Sequence, residues 1–335
     1  DMHLDIFYDS SATIDPLMCK KNYSDDNDHP IFSDKDLILN PKDYGRFNCD
    51  SNKNLVEVIM KKASQLQTEG NFKYDSITIL GDDMAHYLNR DKENISENYE
   101  KTLKYINSLL TKYFPSIKIN WSLGNNDFQE RYDFPSVESY NKQIVQLYKY
   151  LKLNHNVDSA ELAKIEMIQN ERIKNEEYLD SWYVTDISDK IVNFMFNSVL
   201  LNKKSTRLFN FENNNDINLA NKYEDLVKRQ FDLLEKTLKE CKEKNKKMIL
   251  NYHIPIFLRY VDGKFNKNWE SEYSKIFDNL MDKYEDQILA VFSSHYHHGA
   301  LGLRKRDKNN NTAEFGVDED RLYMTNFNMP GVTPN

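Results

Sequence analysis

The sequence predicts an α/β fold built on a largely parallel sheet. Short β-branched runs alternate with amphipathic helical patterns along the chain, and such alternation joins strands by right-handed crossovers. Several of the runs end directly at Asp, Asn or His. Because the carboxyl ends of parallel strands share one edge of a sheet, we expect these residues to form one site. No internal repeat or linker divides the sequence, so we expect residues 1–335 to form a single domain.

The first half of the chain alternates helix and strand after an irregular, polar segment over residues 1–53. Apolar stripes predict the helices, and β-branched runs predict the strands. The predicted elements are a helix at Leu55–Gln67, a strand at Tyr74–Leu80, a helix at Ile95–Phe114, a strand at Ile117–Leu123, a helix at Val137–Leu153 and a charged helix within 156–180. Asp50 or Ser51 is the expected N-cap of the first helix, and Gly70 is its expected stop.

The second half begins with a predicted hairpin, which suggests a second sheet. Its strands are Trp182–Ile187 and Lys190–Leu200, joined by a turn at Ser188-Asp189. Residues 202–217 are Asn-rich and read as a surface loop. The remaining predicted elements are a helix at Leu219–Lys244, a strand at Met248–Tyr252, a helix at Glu270–Tyr284, a strand at Ile288–Phe292 and a closing strand pair at Ala300–Arg306 and Arg321–Asn326.

The composition fits a globular protein and argues against two other classes of protein. With 335 residues, 39% hydrophobic and 13% aromatic, the chain can bury a substantial core. Its formal charge of −8, from 45 basic and 53 acidic residues, argues against a nucleic-acid surface. No apolar run approaches the roughly 20 residues of a membrane-spanning helix. Because the sequence starts on a candidate catalytic residue, Asp1, we expect it to be trimmed from a longer protein.

Residues that commonly bind metals cluster in five stretches, four of which follow predicted strands. The stretches are Asp1-Met2-His3, Gly81-Asp82-Asp83-Met84-Ala85-His86, Gly124-Asn125-Asn126-Asp127, Asn251-Tyr252-His253 and Ser294-His295-Tyr296-His297-His298. Six of the 8 histidines fall in these stretches, whereas histidines used only for packing should scatter. The pattern therefore predicts a metal site.

Brought to one sheet edge, these stretches supply imidazole, carboxylate and amide ligands but no thiolate. The predicted ligands are Asp1, His3, Asp82, Asn125, His253, His295 and His297. Such a set suits zinc, our first expectation, or manganese or iron. Seven ligands fit two ions that share one carboxylate, for which we choose Asp82. Two such ions clamp a phosphoryl group and generate a hydroxide that attacks phosphorus, and His86 is the candidate to protonate the leaving oxygen.

Each of these residues also has a simpler structural explanation. Asp82 alone could be a helix N-cap, Asn125 could adopt the left-handed turn conformation after Gly124, and His253 could be a buried, hydrogen-bonded histidine. His295 and His297 are less easily explained in this way, because side chains at i and i+2 of an extended backbone lie on one face. The combined pattern favours a metal site over a non-enzymatic protein with surface histidines.

Cysteines and glycosylation sequons are the features of the sequence that indicate the cellular compartment of the protein. Cys19 and Cys49 lie in polar, loop-like stretches, and Cys241 lies in a predicted helix. Either all 3 are free thiols, or Cys19 pairs with Cys49 in an oxidising compartment. Sequons that fit a secreted glycoprotein, but that also arise by chance in an Asn-rich chain, begin at Asn22, Asn94, Asn120 and Asn310.

Taken together, the motifs resemble the calcineurin-like metallophosphoesterase superfamily, and within it the branch of acid sphingomyelinase-like phosphodiesterases and endopolyphosphatases. The five stretches match the superfamily order D-x-H, G-D, G-N-H-[DE], H and G-H-x-H. The signs of the branch are Asp1-Met2-His3-Leu4-Asp5 with Tyr8, Cys19-Lys20, Gly45 with Cys49-Asp50-Ser51, Gly81-Asp82 with His86, His253-Ile254-Pro255 and Met329-Pro330-Gly331-Val332-Thr333-Pro334.

The resemblance implies a metallophosphoesterase-type α/β/β/α four-layer sandwich with a two-metal centre at one edge. One ion would be held by Asp1, His3, Asp82 and His297, and the other by Asp82, Asn125, His253 and His295. The resemblance also implies a Cys19–Cys49 disulfide, and hence the secretory pathway or an extracellular, vacuolar or lysosomal lumen. Members of the family usually continue past the position of Pro334, so we expect the sequence to be trimmed there too.

Two positions depart from the superfamily pattern. Asn126 replaces a histidine that usually contacts the phosphate and helps to protonate the leaving group. An amide can orient a phosphate, so Asn126 stays a catalytic candidate, but it cannot donate a proton as imidazolium does. Endopolyphosphatases resemble this chain in having the same Gly-Asn-Asn-Asp. Ser294 replaces the glycine of G-H-x-H without the loss of a ligand.

We therefore expect a dinuclear-metal-dependent phosphohydrolase, and first a phosphodiesterase of the acid sphingomyelinase-like group. The alternatives are an endopolyphosphatase that cleaves internal phosphoanhydride bonds, motivated by Asn126, and a catalytically degenerate binding protein on the same fold, motivated by Asn126 and Ser294. The expected partner is a phosphate-containing small molecule, a lipid headgroup or polyphosphate.

Overall fold

Helices and strands alternate along the chain, in the order that the sequence predicts for most of its length. The computed structural model describes residues 1–6, 8, 49–86, 95–128, 136–153, 159–208, 217–256, 258–261, 264–297, 300–305 and 322–328. The helices are α1 Lys53–Gly70, α2 Ile95–Tyr113, α3 Val137–Leu153, α4 Ser159–Lys174, α5 Lys203–Leu208, α6 Ile217–Glu243 and α7 Ser271–Lys283. The strands are β1 Ser76–Ile79, β2 Lys118–Trp121, β3 Tyr183–Ser188, β4 Ile191–Phe196, β5 Lys247–Tyr252, β6 Leu258–Val261, β7 Lys264–Lys267, β8 Ile288–Ser293, β9 Ala300–Lys305 and β10 Leu322–Asn328.

The larger of the described sheets has six strands in the order β3-β4-β5-β8-β10-β9. The four inner strands are parallel to one another, and the two edge strands, β3 and β9, run antiparallel to them. This arrangement confirms the largely parallel sheet. It also places the carboxyl ends of β5 and β8 side by side, where His253 and His295 follow.

A second sheet pairs β1 with β2 in parallel, with Ile77 opposite Ile119. Side chains of α1, β1 and α2 line one shared apolar cavity, and α3 packs on β2. On the larger sheet, α6 packs on β4 and β5 and also against α7. The two sheets thus lie between two groups of helices, as expected for an α/β/β/α fold.

Side-chain hydrogen bonds join the two sheets along the edge of β2. The Tyr183 hydroxyl on β3 accepts from the Trp121 N–H at 2.6 Å and donates to the Trp121 carbonyl at 3.0 Å. Nearby, the Thr185 hydroxyl donates to the Asn120 side-chain oxygen at 2.8 Å. Asn120 is therefore buried between the sheets, and the side chain of this sequon is not accessible to glycosylation in the folded protein.

Several predicted boundaries differ from the structure for local reasons. Asn52, and not Asp50 or Ser51, caps α1, since its side chain accepts from the Leu55 N–H. The helix does end at Gly70, as expected, and the residue after it, Asn71, adopts the left-handed conformation. Part of the predicted surface loop forms the short helix α5, because the Asn202 side chain accepts from the Lys204 N–H and caps its start.

Some predictions fall partly outside the described residues. Cys19 lies outside them, so its disulfide to Cys49 stays a prediction. The sequons at Asn22, Asn94 and Asn310 lie outside them as well, and so does His298. Over the part of the chain that the structure does describe, none of the helices combines the length and the apolar character needed to cross a membrane.

Candidate metal centre

The candidate ligands meet where strands of both sheets end. Asp82 follows β1, Asn125 begins a short 3-10 turn after β2, His253 follows β5, and His295 and His297 follow β8. Residues at the start of the chain reach the same place because they run alongside the turn after β1. The N–H groups of Met2 and His3 both donate to the Asp82 carbonyl, at 3.0 and 2.9 Å.

Two glycines allow the turns after β1 and β2 to touch. Gly81 has a φ of +87°, and a Cβ there would lie 2.2 Å from the Gly124 nitrogen. A Cβ on Gly124 would lie 2.2 Å from Oδ1 of Asp82. Any side chain at either position would therefore separate Asp82 from Asn125, so these glycines are required by close approach of the backbone.

The donor atoms form two groups that share Asp82. In one group, ligand atoms of Asp1, His3, Asp82 and His297 all lie within 4.8 Å of one another. In the other, ligand atoms of Asp82, His253 and His295 lie within the same limit, and Oδ1 of Asn125 is 3.1 Å from Nε2 of His253. These are the two sets that the resemblance implies, and Asp82 is the carboxylate common to both.

The chemistry of these atoms fits bound cations. Nδ1 of His3 lies 3.1 Å from the Met84 carbonyl, and Nδ1 of His253 lies 2.8 Å from the Leu80 carbonyl. A carbonyl only accepts, so each Nδ1 carries a proton, and Nε2 of each ring is the atom left to bind a cation. These Nε2 atoms face Oδ2 of Asp82, at 3.5 Å for His3 and 3.2 Å for His253. Electron-rich atoms that converge in this way repel one another unless a cation lies between them.

A second contact repeats the pattern on the His297 side. Nε2 of His3 and Nε2 of His297 are 2.9 Å apart. Oδ1 of Asp1 is buried and has no hydrogen-bond partner among the described residues, although Nδ1 of His253 lies 3.3 Å away. An unpaired buried carboxylate oxygen is costly, and a divalent cation would offset that cost.

The electrostatics keep the ligands in the protonation states that bind metals. Burial by itself raises the pKa of the Asp82 carboxyl, but the positive charge that His253 and His3 carry when protonated outweighs it and holds that pKa well below its usual range. Burial lowers the pKa of His3 and the pKa of His295 well below the ordinary value of 6.5. Asp82 is therefore ionised and both rings are neutral near neutral pH.

The backbone of the centre is strained at the ligands themselves. Among the described non-glycine residues, positive φ angles occur at His3 (43°), Asp82 (53°), His295 (78°) and His297 (58°), as well as at three turn residues. A non-glycine residue in this region costs of order 1–3 kcal/mol, and such outliers concentrate at functional sites. Four of the predicted ligands share this feature, so the strain is an independent sign of a functional site.

His86 lies next to the first ligand group without belonging to it. Its ring stacks on that of His3, with centroids 3.9 Å apart and planes inclined by 15°. A donor atom of His86 comes within 4.8 Å of those of His3 and His297. The two ring planes are nearly parallel, however, so an ion that lies in the plane of one ring would be out of the plane of the other. This geometry fits the predicted role of proton donor better than that of a third imidazole ligand.

The side chain of Asn126 is directed toward Asp82, which the sequence did not predict. Its backbone N–H donates to Oδ1 of Asp82 and its side-chain Nδ2 donates to Oδ2 of Asp82, both at 2.7 Å. Asn126 is buried, and its amide is committed to the shared carboxylate. The structure shows this amide holding Asp82 with one of its two side-chain N–H groups, in addition to the backbone N–H, so its observed contact is with the shared carboxylate.

Two further carboxylates belong to the centre and were missed as functional residues. Asp50 accepts from Nδ1 and from the backbone N–H of His86, at 2.8 and 2.7 Å. Asp127 accepts four backbone N–H bonds in the turns after β1 and β2. Asp127 is the last residue of the Gly-Asn-Asn-Asp motif, so a signal for it existed, whereas nothing in the sequence links Asp50 to a histidine 36 positions away.

Comparisons with known proteins give similar structures and no similar sequence. No protein-family model matches the chain, and no curated protein matches its sequence. Among solved structures, the chain is similar to a dimetal phosphatase from Danio rerio, with 14% identity over 83% of this chain and 79% of that chain and a TM-score of 0.47. It is also similar to PhoD, with 10% identity, 81% of this chain covered and a TM-score of 0.46. The chain spans about half, 53%, of the length of PhoD. The case for a metal centre rests on the geometry of the chain's own residues.

Proposed function

We propose that this protein is a dinuclear-metal-dependent phosphohydrolase. The observation that carries the proposal is that two groups of candidate ligands share Asp82, whose Oδ2 is faced by Nε2 of His3 from one group and by Nε2 of His253 from the other. Asp1, His3, Asp82 and His297 would hold one ion. Asp82, Asn125, His253 and His295 would hold the other. When bound, two divalent ions offset the charge of a phosphoryl group and lower the pKa of water toward neutrality.

The protein's own residues supply orientation and a proton. Asp50 holds the His86 ring so that Nδ1 keeps its proton, which leaves Nε2 as the atom that exchanges a proton with the leaving oxygen. Asn126 holds the Asp82 carboxylate by both of its oxygens. The side of the site that carries Asn126 therefore contributes no proton donor, and protonation of the leaving group depends on His86.

For the substrate, we propose first a phosphodiester of the kind used by acid sphingomyelinase-like enzymes, such as a lipid headgroup or a nucleotide. The support is the set of sequence motifs that His86, His253 and Asp1 carry. An alkoxide leaving group needs a proton, and a dedicated imidazole with a carboxylate partner, as in His86 and Asp50, meets that need.

An internal phosphoanhydride of polyphosphate is the second candidate. It is favoured by Asn126, because the leaving group of a phosphoanhydride is itself a phosphate and needs less help from a second acid. In this case the enzyme would be an endopolyphosphatase.

The test is ³¹P NMR of the purified protein with added Zn²⁺ or Mn²⁺ and a mixture of long-chain polyphosphate, ATP and a phosphocholine diester. Release of phosphocholine or nucleotide products supports the phosphodiesterase. Loss of mid-chain polyphosphate signal without early orthophosphate supports the endopolyphosphatase. Asp82→Asn should abolish either reaction and reduce the metal content, and the buried neighbour variant Asp83→Asn is the matched control. Two bound ions with every substrate signal unchanged would contradict the proposal and favour a binding protein that has lost turnover.

A further inference from the structure

Asp127 is a fully buried carboxylate in contact with the ligand-bearing turns, yet it belongs to neither ligand group. Its Oδ2 accepts from the N–H of Asp82 at 2.9 Å and from the N–H of Gly124 at 2.8 Å. Its Oδ1 accepts from the N–H of Asp83 at 2.9 Å and from the N–H of Met84 at 3.2 Å. One side chain therefore satisfies four backbone donors.

These donors come from the two turns on which the pair of ion sites depends. Three of them are consecutive amides that begin at Asp82, the ligand shared by both groups. The fourth belongs to Gly124, directly before Asn125. Asp127 thus ties the position of Asp82, whose φ is +53°, to the position of Asn125, across the close contact of Gly81 with Gly124.

Only an ionised carboxylate of this length can make this set of contacts. Each of its oxygens accepts two N–H bonds, and a carboxylate is the side chain that accepts on both sides. Asparagine would present its own N–H groups to two of the four donors. Glutamate keeps both oxygens but carries them one methylene further from the backbone.

We propose that Asp127 is a positioning residue that sets the distance between the two ion sites by holding the turns of Asp82 and Asn125 together. The proposal rests on the proposed function, since it requires two ions. It adds that the spacing of the ions is fixed by hydrogen bonds that do not touch either ion.

The test is binding of Mn²⁺ to the whole chain, followed by electron paramagnetic resonance, which distinguishes a coupled pair of Mn²⁺ ions from isolated ions. The wild-type protein should bind two ions and give the spectrum of a coupled pair. Asp127→Asn should stay folded by circular dichroism, lose the coupled spectrum, and bind the second ion about 10–100-fold more weakly, as for other partners of metal ligands.

Asp83→Asn is the matched control. Asp83 is equally buried and lies next to Asp82, but its side chain accepts from one group, the Trp121 indole N–H at 2.5 Å. The asparagine carbonyl can accept the same bond, so this variant should keep the coupled spectrum. Asp127→Glu provides a second test, because it preserves the charge and should still change the coupling.

The outcomes separate this proposal from the proposed function. If the wild-type protein binds no ion pair, the proposed function fails first. If the wild-type protein binds a coupled pair and both Asp127 variants keep it, Asp127 does not set the spacing. If neither Asp127 variant folds while Asp83→Asn does, Asp127 serves the folding of the chain as a whole, and the proposal is overturned as well.

Discussion

The carboxylate of Asp50 holds His86 by two hydrogen bonds, one from the ring Nδ1 at 2.8 Å and one from the backbone N–H at 2.7 Å. Both the tautomer and the orientation of the imidazole are thereby fixed by one buried side chain. The ring of His86 is stacked on that of His3, so it stands beside the first ligand group, and Nε2 is the ring nitrogen that Asp50 leaves free of this contact.

Replacement of His86 should impair turnover without removing metal. We expect His86→Ala to lower kcat by about 10²–10⁴-fold, the usual contribution of a general acid, while the bound metal stays at the wild-type level. Asp50→Asn should give a smaller loss of kcat, because the ring remains but its tautomer is no longer fixed. Steady-state kinetics together with metal analysis by mass spectrometry checks both. If metal is lost along with activity in His86→Ala, His86 is a ligand and its assigned role is wrong.

Replacement of Asn126 should weaken metal binding and leave substrate binding intact. In Asn126→Ala, Oδ2 of Asp82 loses its side-chain donor, while the backbone N–H to Oδ1 is kept. We expect metal affinity to fall by roughly tenfold, measured by titration with a fluorescent chelator as competitor. The KM at saturating metal should change little.

The opposite result would restore the role that the sequence alone suggested for Asn126. An amide that orients the phosphate should raise KM when it is removed and should leave the metal affinity unchanged. Asn202→Ala serves as a control, because this buried asparagine caps the start of α5 and is not among the predicted ligands.

A methyl group on Gly81 should destabilise the protein more than one on Gly70. At Gly81 the φ of +87° is unfavourable for alanine, and the Cβ would lie 2.2 Å from the Gly124 nitrogen. We expect Gly81→Ala to lower the free energy of unfolding by at least about 1–3 kcal/mol, measured by urea denaturation without metal.

The control is Gly70→Ala. At Gly70 the Cβ would meet only the ring of Phe72 at 2.5 Å. That ring is 49% exposed and can move aside, so Gly70→Ala should change stability by less than about 1 kcal/mol. Equal effects would contradict this account.

Metal binding should persist to a pH below the ordinary pKa of histidine. Burial lowers the pKa of His3 and of His295 well below 6.5, so both rings stay neutral, and able to bind metal, as the pH falls through 6.5. The lowered pKa of Asp82 keeps that ligand ionised over the same range. Protons therefore compete with the ions only at lower pH. Metal content after dialysis across a pH series should fall with a midpoint under 6.5, and a midpoint at or above that value would contradict the prediction.

Much of the site could be predicted because its ligands follow strands whose pattern is visible in the sequence. Asp82, Asn125, His253 and His295 each come directly after a run of strand-forming residues, and parallel strands bring such positions to one edge. The strands themselves were predicted to within a few residues for the same reason. The pattern of apolar residues along a strand reflects which of its faces is buried, and burial determines where these strands lie.

The sequence did not predict the contacts that depend on three-dimensional distance. Asp50 was interpreted as a helix cap, but its carboxylate is occupied by His86, and Asn52 takes the cap instead. The direction of the Asn126 amide depends on how closely the turns after β1 and β2 approach, which a motif cannot state. The hairpin of β6 and β7, whose strands have 4 residues each, was also missed.

The hydroxyl of Tyr183 accepts a hydrogen bond from the backbone N–H of Trp121 and donates one to its carbonyl, at the outer edge of β2. An open strand edge is a template on which another chain can add a strand, and here a side chain occupies both hydrogen-bonding positions of one residue. The smaller sheet is thereby closed to self-association at Trp121. The same two bonds make the opening of β2 depend on the release of β3, so amide hydrogen exchange at these two strands should occur in a single cooperative event.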